Sequence, residues 1–191
     1  MANVVNGNPL VIDTEGIIST VPLTIQSILL KPNSAGDSAT FTYWLESDST
    51  VTTYGDLVGK TVTVTAATGT FESTANFEED NININQILKV YSTSSAKNKG
   101  YWQIASNADD DTITVDLPAA VYGKFTTLEN DTSGTYSWKV WDPRVFAVIR
   151  NSGISGDTSL AHLKFGDRGI FVPNLAMHTL STSAVLYIFL R

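Results

Sequence analysis

Three consecutive carboxylates, Asp109, Asp110 and Asp111, lie in the stretch "GYWQIASNADDDTITVD" (Gly100 to Asp116) and are the densest cluster of potential chemistry in the chain. Three carboxylates in one loop are hard oxygen donors of the kind that hold Ca²⁺. The run lacks the alternate spacing of an EF-hand loop, and it has no glycine to turn the backbone around an ion. It joins two alternating apolar segments, "WQIAS" and "TITVD", and at such a junction Asn and Asp favour a tight turn while their charge discourages edge-to-edge pairing. The residues predict an exposed hairpin corner, with Ile104 and Ile113 facing a core. The acidic "FEEDN" (Phe77 to Asn81) reads as a solvated loop on the same grounds.

Other chemistries find less support. His162 and His178 are the only imidazoles. Together with Asp167 they have the donor types for Zn²⁺, but they are far apart and lack HExxH or HxH spacing, so they read as isolated structural histidines. His178 is expected in a loop. No G-x-S-x-G elbow accompanies the serines, no carboxylate pair stands out as a glycosidase dyad, and "GDRG" (Gly166 to Gly169) reads as a turn. Cysteine is absent, which removes thiolate nucleophiles, disulfides and Cys-ligated metals together. No catalytic, metal-binding or cofactor-binding residue is assigned, and the chain reads as non-enzymatic.

Aromatic residues are the remaining candidates. Trp44, Trp102, Trp138 and Trp141, with Tyr43, Tyr101 and Tyr136, fall on apparent strands. Adjacent residues on a strand point to opposite faces, so one member of each "YW" pair must leave the core unless a second layer covers it. Trp44, Tyr101, Trp102 and Trp141 are therefore the candidate interface aromatics, able to anchor a protein contact or to stack on a sugar. Across the two "YW" pairs and "WKVW", at least one exposed anchor is expected.

Composition narrows the partners. The 191 residues are 42% hydrophobic and 16% charged, with a net charge of -7 and no Lys/Arg cluster, which disfavours nucleic acid and anionic membranes as partners. The N-terminus "MANVVNGNPLVIDTEG" lacks the charged and apolar regions of a secretory signal, and no run approaches the length of a membrane span. Synthesis in a cytoplasm without Sec export is the expectation, which still allows an extracellular life for a virus particle released by lysis.

Period-two alternation dominates the chain. "KTVTVTA" sets Val62 and Val64 against Thr61, Thr63 and Thr65, "DTITVDL" repeats the pattern, and "ATFTYWLES" and "GTYSWKVW" follow it. "RVFAVIR" and "SAVLYIFLR" are apolar on both faces, which predicts strands interior to a sheet. "FEEDNININQILKV" favours turn and strand over helix. Strands punctuated by Gly, Asn, Asp and Pro predict an all-β fold. A weak echo links "ILLKPNSAGDSATF" (Ile28 to Phe41) with "AVIRNSGISGDTSLAHL" (Ala147 to Leu163), each reading as a hairpin closed by Gly-Asp. The spacers differ by two residues, so this is not a sequence repeat. The polar runs "ESDSTVTTYGD" and "ENDTSGT" read as linkers, with "TFTYWLE" and "TYSWKVW" facing each other as matched strands. The predicted organisation is a β-sandwich or jelly-roll-like outer domain, residues 1–48 and 135–191, carrying an inserted small β-barrel domain, residues 49–134.

The inserted segment resembles the small β-barrel modules of tailed-bacteriophage virion proteins, in Gly100, Tyr101 or Trp102, Ile104, the turn at Asn107 to Asp111, and Thr112 to Val115. The outer part resembles short phage structural proteins that open with an apolar strand and a Gly-Asp hairpin and close with an apolar C-terminal strand. The resemblance implies a non-enzymatic capsid decoration or cement protein, made in the bacterial host cytoplasm and located in the virion. Its partners would be the major capsid protein or other virion proteins, with homo-oligomerisation, a trimer in particular. Connector, tail or fibre components are related alternatives. A carbohydrate-binding module or adhesin is the alternative that the aromatic strands suggest.

Overall fold

The computed structural model describes residues 3–45, 57–73, 82–94, 98–109, 111–117, 121–122 and 127–191. All regular elements among them are β-strands, and the chain is all-β. In order they are β1 (Leu10–Ile12), β2 (Gly16–Ser19), β3 (Leu23–Lys31), β4 (Ser38–Tyr43), β5 (Leu57–Thr65), β6 (Thr70–Glu72), β7 (Ile87–Thr93) and β8 (Gly100–Asp109). There follow β9 (Thr112–Val115), β10 (Asp131–Trp141), β11 (Arg144–Arg150), β12 (Ala161–Lys164), β13 (Ile170–Val172), β14 (Leu175–Leu180) and β15 (Val185–Leu190).

The chain divides into two compact units, one of residues 1–43, 118–124 and 144–191, the other of residues 44–117 and 125–143. The divisions near 43 and 143 differ from those placed at 48 and 134 because "TYSWKVW" lies in β10, which pairs with β5 and β7. β4 instead pairs with β11 and β14, so "TFTYWLE" and "TYSWKVW" are not neighbouring strands. "ENDTSGT" is not a linker either, since β10 begins within it at Asp131. "ESDSTVTTYGD" lies outside the described residues. A short return to the first unit is fixed by Tyr122, whose N–H donates to Ile18 O at 2.8 Å beside a parallel bridge to Ser19.

The first unit is a sandwich of two antiparallel sheets. One has the order β1-β15-β3-β12 with β13 also on β3, and the other β11-β4-β14-β2. Alternate residues of both sheets enter one core, including Ile25, Ile28 and Ile188 from the first and Phe41, Leu175 and Met177 from the second. The C-terminal strand β15 is interior, as its two-sided apolar pattern predicts. β11, "RVFAVIR", is instead an edge strand. Its apolar run arises from a register shift between Val145 and Ala147, a bulge that sends both Phe146 and Ala147 against the core. Val145 and Val148 are left 63% and 58% exposed, between the exposed Arg144 and Arg150.

The two Gly-Asp segments are not hairpins. One carries the chain from β3 to β4 and the other from β11 to β12, so each crosses between the sheets. They interlock at one corner. Asn151, buried, accepts from Gly36 N–H at 2.6 Å through Oδ1, donates to Asp157 O at 2.7 Å through Nδ2, and donates to Asp37 O at 3.0 Å through its backbone. Asp37 accepts from the N–H groups of Asn33 and Ser34. Asp157 does the same from Ser159 N–H and accepts from the Ser152 hydroxyl, and these bonds hold its pKa down at about 2. Replacing Asn151 with alanine removes one side-chain bond to each loop at once, those with Gly36 and Asp157, while Gly36 N–H keeps its bond to Ser152 O, and each lost bond is worth about 0.5–1.5 kcal/mol. Asn151→Ala should thus lower unfolding stability by about 1–3 kcal/mol in a urea titration, and an unchanged midpoint would contradict the interlock.

The second unit is a closed six-stranded barrel, in the order β10-β5-β6-β9-β8-β7 and back to β10. Inward residues at period two fill it, Val62 and Val64 from β5 and Leu88 and Val90 from β7 among them. Closure leaves no sheet edge, which suits a short strand such as β6 that would be weak at the rim of an open sheet.

Candidate functional site

β8 and β9 pair antiparallel with Ile104 opposite Val115, so the segment of Gly100 to Asp116 is a hairpin. Ile104 and Ile113 are fully buried in the barrel core. Asp111 sits exposed at the turn, and Asp110 lies outside the described residues. "FEEDN" lies outside them too. Among the described residues no three His, Asp or Glu side chains converge on a point that would hold a metal ion. His162 is exposed on β12, whereas His178 lies on β14 in the opposite sheet and not in a loop. The two do not share a site with Asp167.

The aromatic expectation is corrected in one respect and sharpened in another. Trp44 and Trp102 are each 1% exposed and Trp141 5%, while Tyr101 is half-buried, so none of the four stands free as an anchor. Trp102 points inward and packs in the barrel core. Its neighbour Tyr101 faces outward, as adjacent strand residues must, and there it meets the Trp44 ring at 5.5 Å between centroids, tilted by 43°. The outward ring is thus covered by a second aromatic from a distant part of the chain.

Two of the four residues, Tyr101 and Trp141, lie against a lysine that no sequence motif singled out. The Lys89 ammonium lies 4.9 Å from the Tyr101 ring centroid and 5.9 Å from that of Trp141, within cation–π range of both. In the sheet register Lys89 is opposite Tyr101 on β8 and opposite Lys139 on β10. Leu88 and Val90, and Trp138 and Val140, point into the core, so Lys89, Tyr91, Lys139 and Trp141 share the outer wall. They line a shallow cavity of about 220 Å³. Tyr91, at 43% exposure, is its wettest ring. A sequence signal for this arrangement exists in retrospect, since "LKVY" (88–91) and "WKVW" (138–141) place lysine and aromatic identically. Only the register, with Lys89 opposite Lys139, turns the likeness into a site.

A second surface belongs to the sandwich unit. Tyr43, Phe146, Ile170, Phe171, Val172 and Pro173 line a cavity of about 230 Å³, and Phe146 packs on Phe165 with ring centroids 5.5 Å apart. Phe171 is 66% exposed at its rim.

Comparison with known proteins returns no match, since no family model, no curated protein and no solved structure matches this chain.

Proposed function

We propose that the chain is a non-enzymatic structural subunit of a tailed-bacteriophage particle, a decoration or cement protein that binds and stabilises the head. The observation that carries the reading is the apolar surface of the sandwich unit, where Val145, Val148, Ile170 and Phe171 are all exposed. Ile170 and Phe171 border one cavity with Phe146, and Val145 and Val148 stand out from the edge strand β11; exposed apolar patches of this kind are what an assembly covers. β11 is an edge strand of its sheet, and an edge strand can take up a partner strand or a second copy. The resemblance to phage virion proteins in layout points the same way. The expected partners are the major capsid protein and two further copies of the chain in a trimer, with the virion as the place of function. The same surface would serve a connector, tail or fibre subunit.

Light scattering and cosedimentation test this reading. A trimer mass with saturable binding to empty heads is expected. Phe171→Asp, at an exposed position that leaves the core intact, should weaken head binding at least about tenfold, as for loss of an interface anchor. A monomer that sediments with neither heads nor tails would overturn the proposal, and sedimentation with tails alone would move it to the tail.

A second reading, carbohydrate binding, is favoured by a different observation. The outer wall of the barrel presents Tyr91 beside two lysines, with the buried Trp141 closing the same cavity, and an aromatic face with nearby polar heads is suited to a sugar ring.

A further inference from the structure

The barrel wall has a chemistry that neutral sugars would not use. Lys89 and Lys139 stand directly opposite each other on neighbouring strands, an arrangement that is unfavourable between like charges. The rings of Tyr101 and Trp141 hold the Lys89 ammonium in place, so little side-chain entropy is left to lose when it is engaged. Because Tyr91 and Trp141 sit two residues C-terminal to their lysines on antiparallel strands, they flank the pair from opposite ends. An aromatic side chain thus bounds the cavity on each side of a central pair of cations. Its volume of about 220 Å³ lies below the roughly 300 Å³ at which drug-sized pockets begin, and suits a single ring.

We infer that this wall binds one anionic saccharide residue, a uronic or sialic acid set in an otherwise neutral glycan. The carboxylate accepts from the Lys89 and Lys139 ammonium groups, charge-assisted bonds stronger than neutral ones. The apolar C–H face of the ring packs on Tyr91, while the buried Trp141 bounds the far end of the cavity. A carboxylate fixed to a rigid ring meets both demands without ordering a flexible chain, which an acidic peptide would have to do. A polyanion is disfavoured because the chain's net charge of -7 repels it at long range. The inference rests on the carbohydrate reading of this wall and is independent of head binding.

The test is a titration of the full chain with sodium glucuronate, glucose and sodium acetate at matched ionic strength, followed by tryptophan fluorescence and the indole signals in NMR. Glucuronate should saturate and bind at least about tenfold more tightly than either glucose or acetate, the scale of one charge-assisted contact. Lys139→Met, at an exposed position, should lose about tenfold in glucuronate affinity with an unchanged melting temperature. Tyr91→Ala should weaken glucuronate without making acetate bind better. Equal binding of glucose and glucuronate would leave a neutral-sugar site and sink the anionic assignment alone. No binding of glucose or glucuronate would sink the carbohydrate reading with it, and glucuronate binding unaltered by Lys139→Met would place the ligand elsewhere.

Discussion

Trp138→Ala should remove about 3–5 kcal/mol of stability, the usual range for truncating a fully buried tryptophan. Trp138 is fully buried in the barrel and meets Phe71 edge-on, with centroids 6.0 Å apart at 84°. Phe71 in turn meets Tyr136 edge-on at 6.2 Å and 86°, so one ring from β6 is held between two from β10. Edge-to-face pairs add about 0.5–1.5 kcal/mol beyond buried area, and both pairs loosen when Trp138 is lost. Domains of this size are stable by only about 5–15 kcal/mol, which makes the loss a large fraction of the whole. Urea denaturation followed by far-ultraviolet circular dichroism reads the effect directly. A loss below about 1 kcal/mol would be that of an ordinary surface substitution and would show that the barrel core repacks around the gap.

The second large effect is expected at Gly134, where room decides the residue. A Cβ there would come within 2.5 Å of Tyr136 Cε2 and closer still to the Asp131 carboxylate. Those two groups are bonded to each other, the Tyr136 hydroxyl donating to Asp131 Oδ2 at 2.9 Å. Asn98, fully buried, donates to the Tyr136 oxygen at 2.9 Å and accepts from Glu129 N–H at 2.7 Å. Gly134→Ala must therefore displace Asp131 or Tyr136 and break a buried network, at a cost of about 2–4 kcal/mol. The network also has a pH signature. Burial raises the Tyr136 pKa above its ordinary value of 10.0, and hydrogen bonding to Asp131 and that residue's charge raise it further, against the lowering effect of Asn98. The folded state thus keeps its proton where the unfolded state has begun to lose it. This contribution is fully present below about pH 10 and is lost as pH rises through the higher folded value. Tyr136→Phe should flatten the alkaline fall in stability, and an unchanged pH profile in that variant would remove Tyr136 as its source.

Where neighbours in sequence determine the outcome, the residues were legible. The alternation of Val62 and Val64, the Ile104 and Ile113 core positions, the Asp111 turn and the interior C-terminal strand all depend on local period and turn chemistry. β11 misled because a bulge at Phe146 imitates two-sided burial. "ENDTSGT" misled because Gly134, read as a linker residue, is a glycine for want of space beside Tyr136. The exposure of the aromatic pairs could not be read because Tyr101 is covered by Trp44, and no local pattern announces a partner that distant. Lys89 and Lys139 become a site only through the pairing of β7 with β10, and strand register between remote segments leaves no trace at either lysine alone. The corner at Asn151 is an intermediate case, visible as a weak echo whose physical content, two crossovers gripping each other, needed the fold.

One pairing bears on how such a chain is built. Tyr43 and Arg144 are direct partners across β4 and β11, so the intervening chain leaves and finally rejoins the sandwich at one point, touching it once more on the way at Tyr122. The entropy of closing a loop grows only with the logarithm of its length, about 0.6 kcal/mol per doubling. The β4–β11 pair is therefore a port whose cargo can change in size at little thermodynamic cost. A barrel, a longer module or a tight two-residue turn would meet the same geometric condition, that its two ends lie one strand spacing apart.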